Sequence, residues 1–275
     1  IGLARLAVSL PLPLSDVRNS IVTENALPGS NHWWVKQYNA TPIAQGYSTK
    51  FSYFPGDVVQ FKINSPSVEV YQLSIFRLGY YSGKGGRMLS SMSVNTVKQP
   101  SCLFELSSRM TDCSNWEVSA KWTIPSDAHT GVYVAVPTFQ HPGSRTVTYG
   151  SYIPFVVRQP KGKVKSEILF KTADLTWVAY NKFGNWNVYR GNGSFSPDSR
   201  AFKASYDRPW QNRFLPPEGQ NSNFLFGDVI KFIILSTNIW FYLGWTIIFT
   251  SDINVPCSWN NSLRTCPKIV TFSKT

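Results

Sequence analysis

Histidine is scarce in this chain. His32, His129 and His141 are the complete set, and all three precede residue 159. That leaves no credible Ser-His-Asp or Cys-His arrangement, because a nucleophile needs its base within hydrogen-bond reach. No Cys-x-x-Cys spacing occurs either, so a structural zinc site finds little support. The phosphate-cradling motifs are missing as well. In "YQLSIFRLGYYSGKGGRML" (71–89) Lys84 is followed by Gly85 and not by the hydroxyl residue that a Walker loop requires. No Gly-x-Gly-x-x-Gly can be laid on its glycines. The stretch reads as a strand running into a hairpin-like connection.

Acid is in short supply too. Lys and Arg number 27 against 15 Asp and Glu, a balance of +12. A polyanion partner is permitted by that charge, but the basic residues are scattered, and the densest run, "RQPKGKVK" (158–165), reads as a solvated linker. Nucleic acid is therefore disfavoured. Four cysteines form two close pairs, Cys102 with Cys113 and Cys257 with Cys266. Two local disulfides are the simplest reading, although four cysteines allow three connectivities. Asn-x-Ser/Thr sequons at Asn39, Asn192 and Asn260 agree with a secreted or extracellular glycoprotein.

Plentiful aromatics (10 Trp, 13 Tyr, 18 Phe) with 18 Pro and 18 Gly suggest many short strands and turns. Residues 1–19 read as a clipped or processed tail. From 20 to 158 the pattern is that of an antiparallel β-sandwich, immunoglobulin-like or jelly-roll-like. "GDVVQFKINS" (56–65), "EVSAKWTIP" (117–125), "GVYVAVPTF" (131–139) and "SYIPFVVR" (151–158) are its clearest strands. After a basic linker at 159–165 the pattern changes. "SEILFKTA" (166–173) reads as a buried strand, and a helix follows with Asp174 as N-cap and Gly184 as stop. Residues 185–220 read as a long irregular loop. A second helix is expected from Gly227-Asp228 towards Leu243, and "WTIIFTSD" and "PKIVTFS" are further strands. Strand, helix, strand and strand in this order suggest the opening of a parallel α/β sheet over 166–275. Phe232–Phe249 carries no charged side chain and is long enough to span a bilayer. Its Ser236, Thr237, Asn238 and Gly244 favour a buried helix–glycine–strand passage instead.

Several of these segments resemble one family, that of the large (beta) subunit of N,N-dimethylformamidase. "YQLSIFRLGYYSGKGGRM" is similar to the family signature through Ile75, Arg77, Gly79, Tyr81, Gly83, Gly85 and Arg87. "IVTENALPGSNHWW" looks like its first strand, "CSNWEVSAKWTIPSDAHTGVYVA" like its tryptophan-bearing strands, and "TWVAYNKFGNWNVY" and "FKASYDRPW" like the start of its α/β domain. The resemblance implies an amidotransferase-like fold for that domain and an amide hydrolase whose iron is held by tyrosines and a glutamate. It also implies a second subunit or a homo-oligomer. The family's Gly-His-Asp-Glu-Tyr-Trp stretch would follow "KIVTFS", and this sequence stops at Thr275. The expectation is thus an incomplete α/β domain, no complete metal set, no iron bound to this chain alone and no hydrolysis by it. The alternative is a non-enzymatic extracellular module in which the sandwich binds carbohydrate or protein.

In open parallel sheets the ligand crevice lies beyond the carboxyl ends of the strands. That rule and the resemblance pick out Asp174, Tyr180, Asn181, Asp207, Arg208 and Asp252 as crevice candidates. Each has a plainer reading: a helix cap for Asp174, a turn for Asp252, a structural ion pair for Asp207 and Arg208, a core aromatic for Tyr180. The Arg77, Tyr80, Tyr81 and Arg87 group is suited to gripping a carboxylate, a sugar or a neighbouring domain. The preferred reading has its glycines making a turn and its side chains packing the sandwich against the following domain.

Overall fold

The computed structural model describes residues 20–33, 44–66, 68–159, 168–172, 174–191, 197–210, 247–250 and 269–271. Asn39, Asn192, Asp252, Cys257, Asn260 and Cys266 lie outside these, as does the helix expected before Leu243.

The chain is mostly β. A short helix, α1 (Ser20–Asn25), precedes β1 (Gln45–Ser48), β2 (Ser52–Tyr53), β3 (Val58–Asn64), β4 (Val70–Leu78) and β5 (Gly86–Asn95). Then come β6 (Leu103–Glu105), β7 (Met110–Asp112), β8 (Ala120–Thr123), β9 (Gly131–Gln140), β10 (Val147–Tyr149) and β11 (Ile153–Val157). Beyond residue 159 lie β12 (Ile168–Lys171), α2 (Asp174–Tyr180), β13 (Lys203–Ser205), β14 (Ile247–Thr250) and β15 (Ile269–Thr271).

Two sheets share one core. The smaller runs β1-β3-β8, and the larger runs β2-β11-β9-β4-β5, with β10 on β9. Strict alternation on β3 turns Val59, Phe61 and Ile63 inward, where they meet Leu73 and Ile75 of β4, Tyr133 of β9 and Phe155 of β11. Strand β9 is buried on both faces. Tyr133 and Ala135 face the shared core, while Val132, Val134 and Val136 join a second cluster with Phe76, Leu78 and Trp33 on the far side of the larger sheet. Double burial explains why β9 reads in the sequence as an unbroken apolar run. A bulge at Leu89 shifts the β4–β5 register, so Ile75 faces Ser90 but Phe76 faces Met88.

Several expectations are corrected. "IVTENALPGSNHWW" begins as α1 and not as a strand, because one helical turn brings Glu24 and Asn25 together onto the β4–β5 connection. The helix after Asp174 stops at Tyr180, ahead of Gly184, whose φ of +81° makes a separate turn. The 185–220 stretch holds β13, which pairs antiparallel with β15. Strands β12 and β14 pair parallel, Ile168 opposite Ile247. Residues 232–246 of the membrane-span candidate lie outside the described residues; Ile247–Phe249 are strand, and no helix among the described residues is long and apolar enough to cross a membrane.

Residues on either side of the expected 159–165 linker pack together. Phe51 meets the rings of Trp177, Tyr206 and Trp210, and Tyr47, Trp116 and Phe183 share a cluster. The β6–β7 hairpin, closed by the Cys102–Cys113 disulfide, lies along β13. Ser205 Oγ donates to Asp112 Oδ2 at 2.6 Å, Cys113 N–H donates to the Asp207 carbonyl at 2.6 Å, and Lys203 is paired with Glu105 at 3.3 Å.

Candidate functional site

The turn after β4 closes on the chain itself. Tyr81 and Ser82 take positive φ (43° and 54°), followed by Gly83 and Gly85 at 81° and 80°. This curl turns the Tyr81 side chain inward. Its hydroxyl accepts from Arg77 Nη1 at 2.8 Å and donates to Glu24 Oε1 at 2.6 Å. Arg87 grips the same carboxylate with two parallel bonds, Nε to Oε1 at 2.8 Å and Nη2 to Oε2 at 2.9 Å. Arg77 Nη2 reaches the Thr130 carbonyl at 3.0 Å, and His129 Nδ1 stands 3.8 Å from Glu24 Oε2. Trp33 lies over Gly85 and Gly86, its Nε1 donating to the Lys84 carbonyl at 2.9 Å. A Cβ on Gly85 would sit 2.5 Å from Trp33 Cζ2.

Arg77 and Arg87 therefore do grip a carboxylate, and it is an internal one. Glu24 is only 4% exposed. Burial pushes its carboxyl up, but the bonds from Arg87 and Tyr81 and the charges of Arg77 and Arg87 outweigh that and hold it below the ordinary value. Burial, tempered by Arg77 and reinforced by Glu24, pushes the Tyr81 phenol up to about 12. Among the described residues the group bonds to α1 and to the 129–130 turn. Glu24 escaped the sequence reading. The available signal was scarcity: in so basic a chain, a buried acid is bound to be paired.

The second cluster stands at the carboxyl end of β12. Asp174 opens α2 with its side chain 1% exposed. Thr172 Oγ1 donates to Asp174 Oδ1 at 3.0 Å and Tyr206 Oη donates to Oδ2 at 2.8 Å. Burial and the Asp174 charge drive the Tyr206 phenol far up, so it stays protonated. Arg208, 2% exposed, spends its fork on backbone. Nη2 donates to the carbonyls of Val178 (3.0 Å) and Asn181 (3.2 Å), and Nη1 to those of Phe183 (3.1 Å) and Trp186 (3.2 Å). The guanidinium thus terminates α2, where a cation suits the helix carboxyl end. Burial lowers it to about 10, still far enough above neutrality to keep its charge. Asn181 bonds the Pro209 carbonyl at 2.9 Å through Nδ2 and caps Phe183 N–H at 3.2 Å through Oδ1. Tyr180 and Tyr189 stack with ring centroids 4.2 Å apart, and Tyr189 is 49% exposed. Hydrogen bonding with Tyr180 raises the Tyr189 phenol.

The structure brings Asp174, Asn181 and Arg208 onto the frame of one helix and its following loop, with Tyr180 at their rim. Asp207 joins them through its backbone on the hairpin side. An iron held by tyrosinates asks for at least three converging oxygen donors with lowered phenol pKa values. Among the described residues no group of three His, Cys, Asp or Glu side chains converges.

No curated protein matches the chain. A family pattern does match, over residues 72–234, from the start of β4 through the disulfide hairpin, α2 and β13. That is more than half of the sequence, and the chain belongs to the family described as N,N-dimethylformamidase beta subunit-like, C-terminal.

Proposed function

We propose that the chain is part of the large subunit of a secreted, iron-dependent amide hydrolase that cleaves the C–N bond of small amides, and that it is inactive by itself. In this reading residues 20–158 form a β-sandwich and the residues from 166 onward belong to an α/β domain, with glycans at Asn39, Asn192 and Asn260. The observation that carries it is the buried Asp174–Tyr206 pair at the carboxyl end of a strand with a parallel neighbour, inside the matched span. Ligands of parallel sheets bind at such ends. Asp174 and Tyr206 would fix the mouth of the crevice, and Arg208 the 181–190 loop beside it. The half-exposed Tyr180–Tyr189 stack would offer an apolar wall to the alkyl groups of an amide. Iron enters through the family resemblance alone.

The test is dimethylamine release from N,N-dimethylformamide after incubation with iron, by the protein isolated from its natural source and by this 275-residue chain alone, each read beside its visible spectrum. Amine release with a tyrosinate–iron charge-transfer band is the expected result for the isolated protein, and neither for the chain alone. Tyr206→Phe should lower kcat/KM by roughly 10- to 100-fold through misplacement of the loop. A colourless, iron-free protein that releases no amine from a series of N,N-dialkyl amides would overturn the proposal and leave a binding role for the sandwich.

A further inference from the structure

The turn that follows α2 is held from several sides. Asn187, a buried residue, works on both ends of it. Its Nδ2 donates to the Tyr180 carbonyl at 3.3 Å, and its Oδ1 accepts from the N–H groups of Tyr189 at 2.9 Å and Arg190 at 3.0 Å. Val188 N–H donates to the Ala179 carbonyl at 3.2 Å, which stitches the backbone beside both tyrosines. Gly184 and Asn185, at φ +81° and +68°, make the reversal between them. Arg208 holds the same turn through the Phe183 and Trp186 carbonyls. Two tyrosine rings are pressed together as a result. Their centroids are 4.2 Å apart, their planes lie 28° from parallel, and their hydroxyls share a hydrogen bond. Aromatic pairs that merely pack lie about 4.5–7 Å apart. Stacked rings with bonded hydroxyls run the same way, which lays the carbon ortho to one hydroxyl over its counterpart.

We propose that Tyr180 and Tyr189 form an oxidative cross-linking site, joined as a dityrosine by a peroxide-driven one-electron oxidant. Each phenol loses one electron and one proton. The two phenoxyl radicals form a carbon–carbon bond between their ortho (Cε) positions. The hydrogens on those carbons then move to the oxygens and restore two phenols. The two electrons and two protons given up reduce one hydrogen peroxide to two waters. Tyr189, 49% exposed, is the entry point for the first oxidation. Selectivity comes from the held geometry, because radicals on other tyrosines must find each other by diffusion while this pair is already in place. Neither iron nor an amide takes part, so the site is independent of the proposed hydrolysis. The new bond locks the 181–188 turn onto the end of α2.

Trypsin separates the two partners. Cleavage after Lys171, Lys182 and Arg190 puts Tyr180 in the peptide 172–182 and Tyr189 in 183–190, and neither peptide has another tyrosine. The test treats the full chain, at low concentration, with a haem peroxidase and limiting hydrogen peroxide, followed by digestion and mass spectrometry. The expected product is these two peptides joined, lighter than their sum by two hydrogens and fluorescing as dityrosine. Its yield should exceed that of any other tyrosine pair by at least about tenfold, should not change with protein concentration, and should fall by at least about tenfold in urea. Tyr189→Phe keeps the ring and should melt near the parent's temperature, yet give none of the joined product. Amide exchange over 183–188 should slow in the cross-linked fraction. A digest without the joined peptides would overturn the proposal, whichever other tyrosines had reacted. A yield unchanged by urea would overturn it too, since the fold would then have no part in bringing the pair together.

Discussion

Glu24 shows how one side chain can hold a segment to the body of the molecule. Its carboxylate satisfies Tyr81 and both arms of Arg87, so Glu24→Gln leaves a partly buried cation without its counter-charge. A loss of about 3 kcal/mol in urea unfolding is expected. Acid should have the same effect in two stages. His129 is lowered in the folded state by burial and by Arg77, so its contribution is complete above its unfolded value and fades as pH falls below about 6.5. Glu24, also lowered, keeps its contribution above the ordinary carboxyl range and loses it as pH falls through the folded value. Stability plotted against pH should therefore decline twice on acidification, and Glu24→Gln should flatten the lower decline. Neighbouring glycines separate backbone strain from crowding. Gly83 has φ +81° and open space around it, so Gly83→Ala should cost about 1 kcal/mol. Gly85 shares that φ range but faces Trp33, so Gly85→Ala should cost about 1–3 kcal/mol more by thermal melting.

At the level of elements, Arg208 is the fastening of α2. Arg208→Lys keeps the charge but cannot span four carbonyls set around a planar fork, so it should destabilise by about 3 kcal/mol and loosen amide exchange over 178–186. Much of the strand layout was legible beforehand because burial writes a period into the sequence. Strand β3 alternates, β9 and β11 run apolar, and the readings there agree with the structure to within a residue or two. The misses have one cause. Elements such as α1, β6, β7 and β13 are three to six residues long and exist only because of distant partners, so local pattern carries no trace of them. The cluster at the end of β12 was partly legible. Asp174, Asn181 and Arg208 stood out by residue type and position, but the helix-fastening task of Arg208 depends on carbonyls 22 to 30 residues away.

For the whole molecule, the segment after residue 174 is not a loosely tethered neighbour of the sheets. Phe51, Tyr47 and Trp116 lend it their rings, and the hairpin at 103–112 lies along its strand. A single cooperative calorimetric transition should cover the sheets and residues 174–210 together. Cys102→Ser with Cys113→Ser should lower unfolding stability by about 3 kcal/mol, since the bond closes a short loop. The same bond has a consequence for a chain exposed to proteases. Leu106 at the hairpin tip is 79% exposed, the kind of place where backbones are nicked. Because Cys102 and Cys113 flank that tip, a cut there would sever the backbone without releasing either piece. The nicked protein should run as one band on a non-reducing gel and as two once a thiol is added.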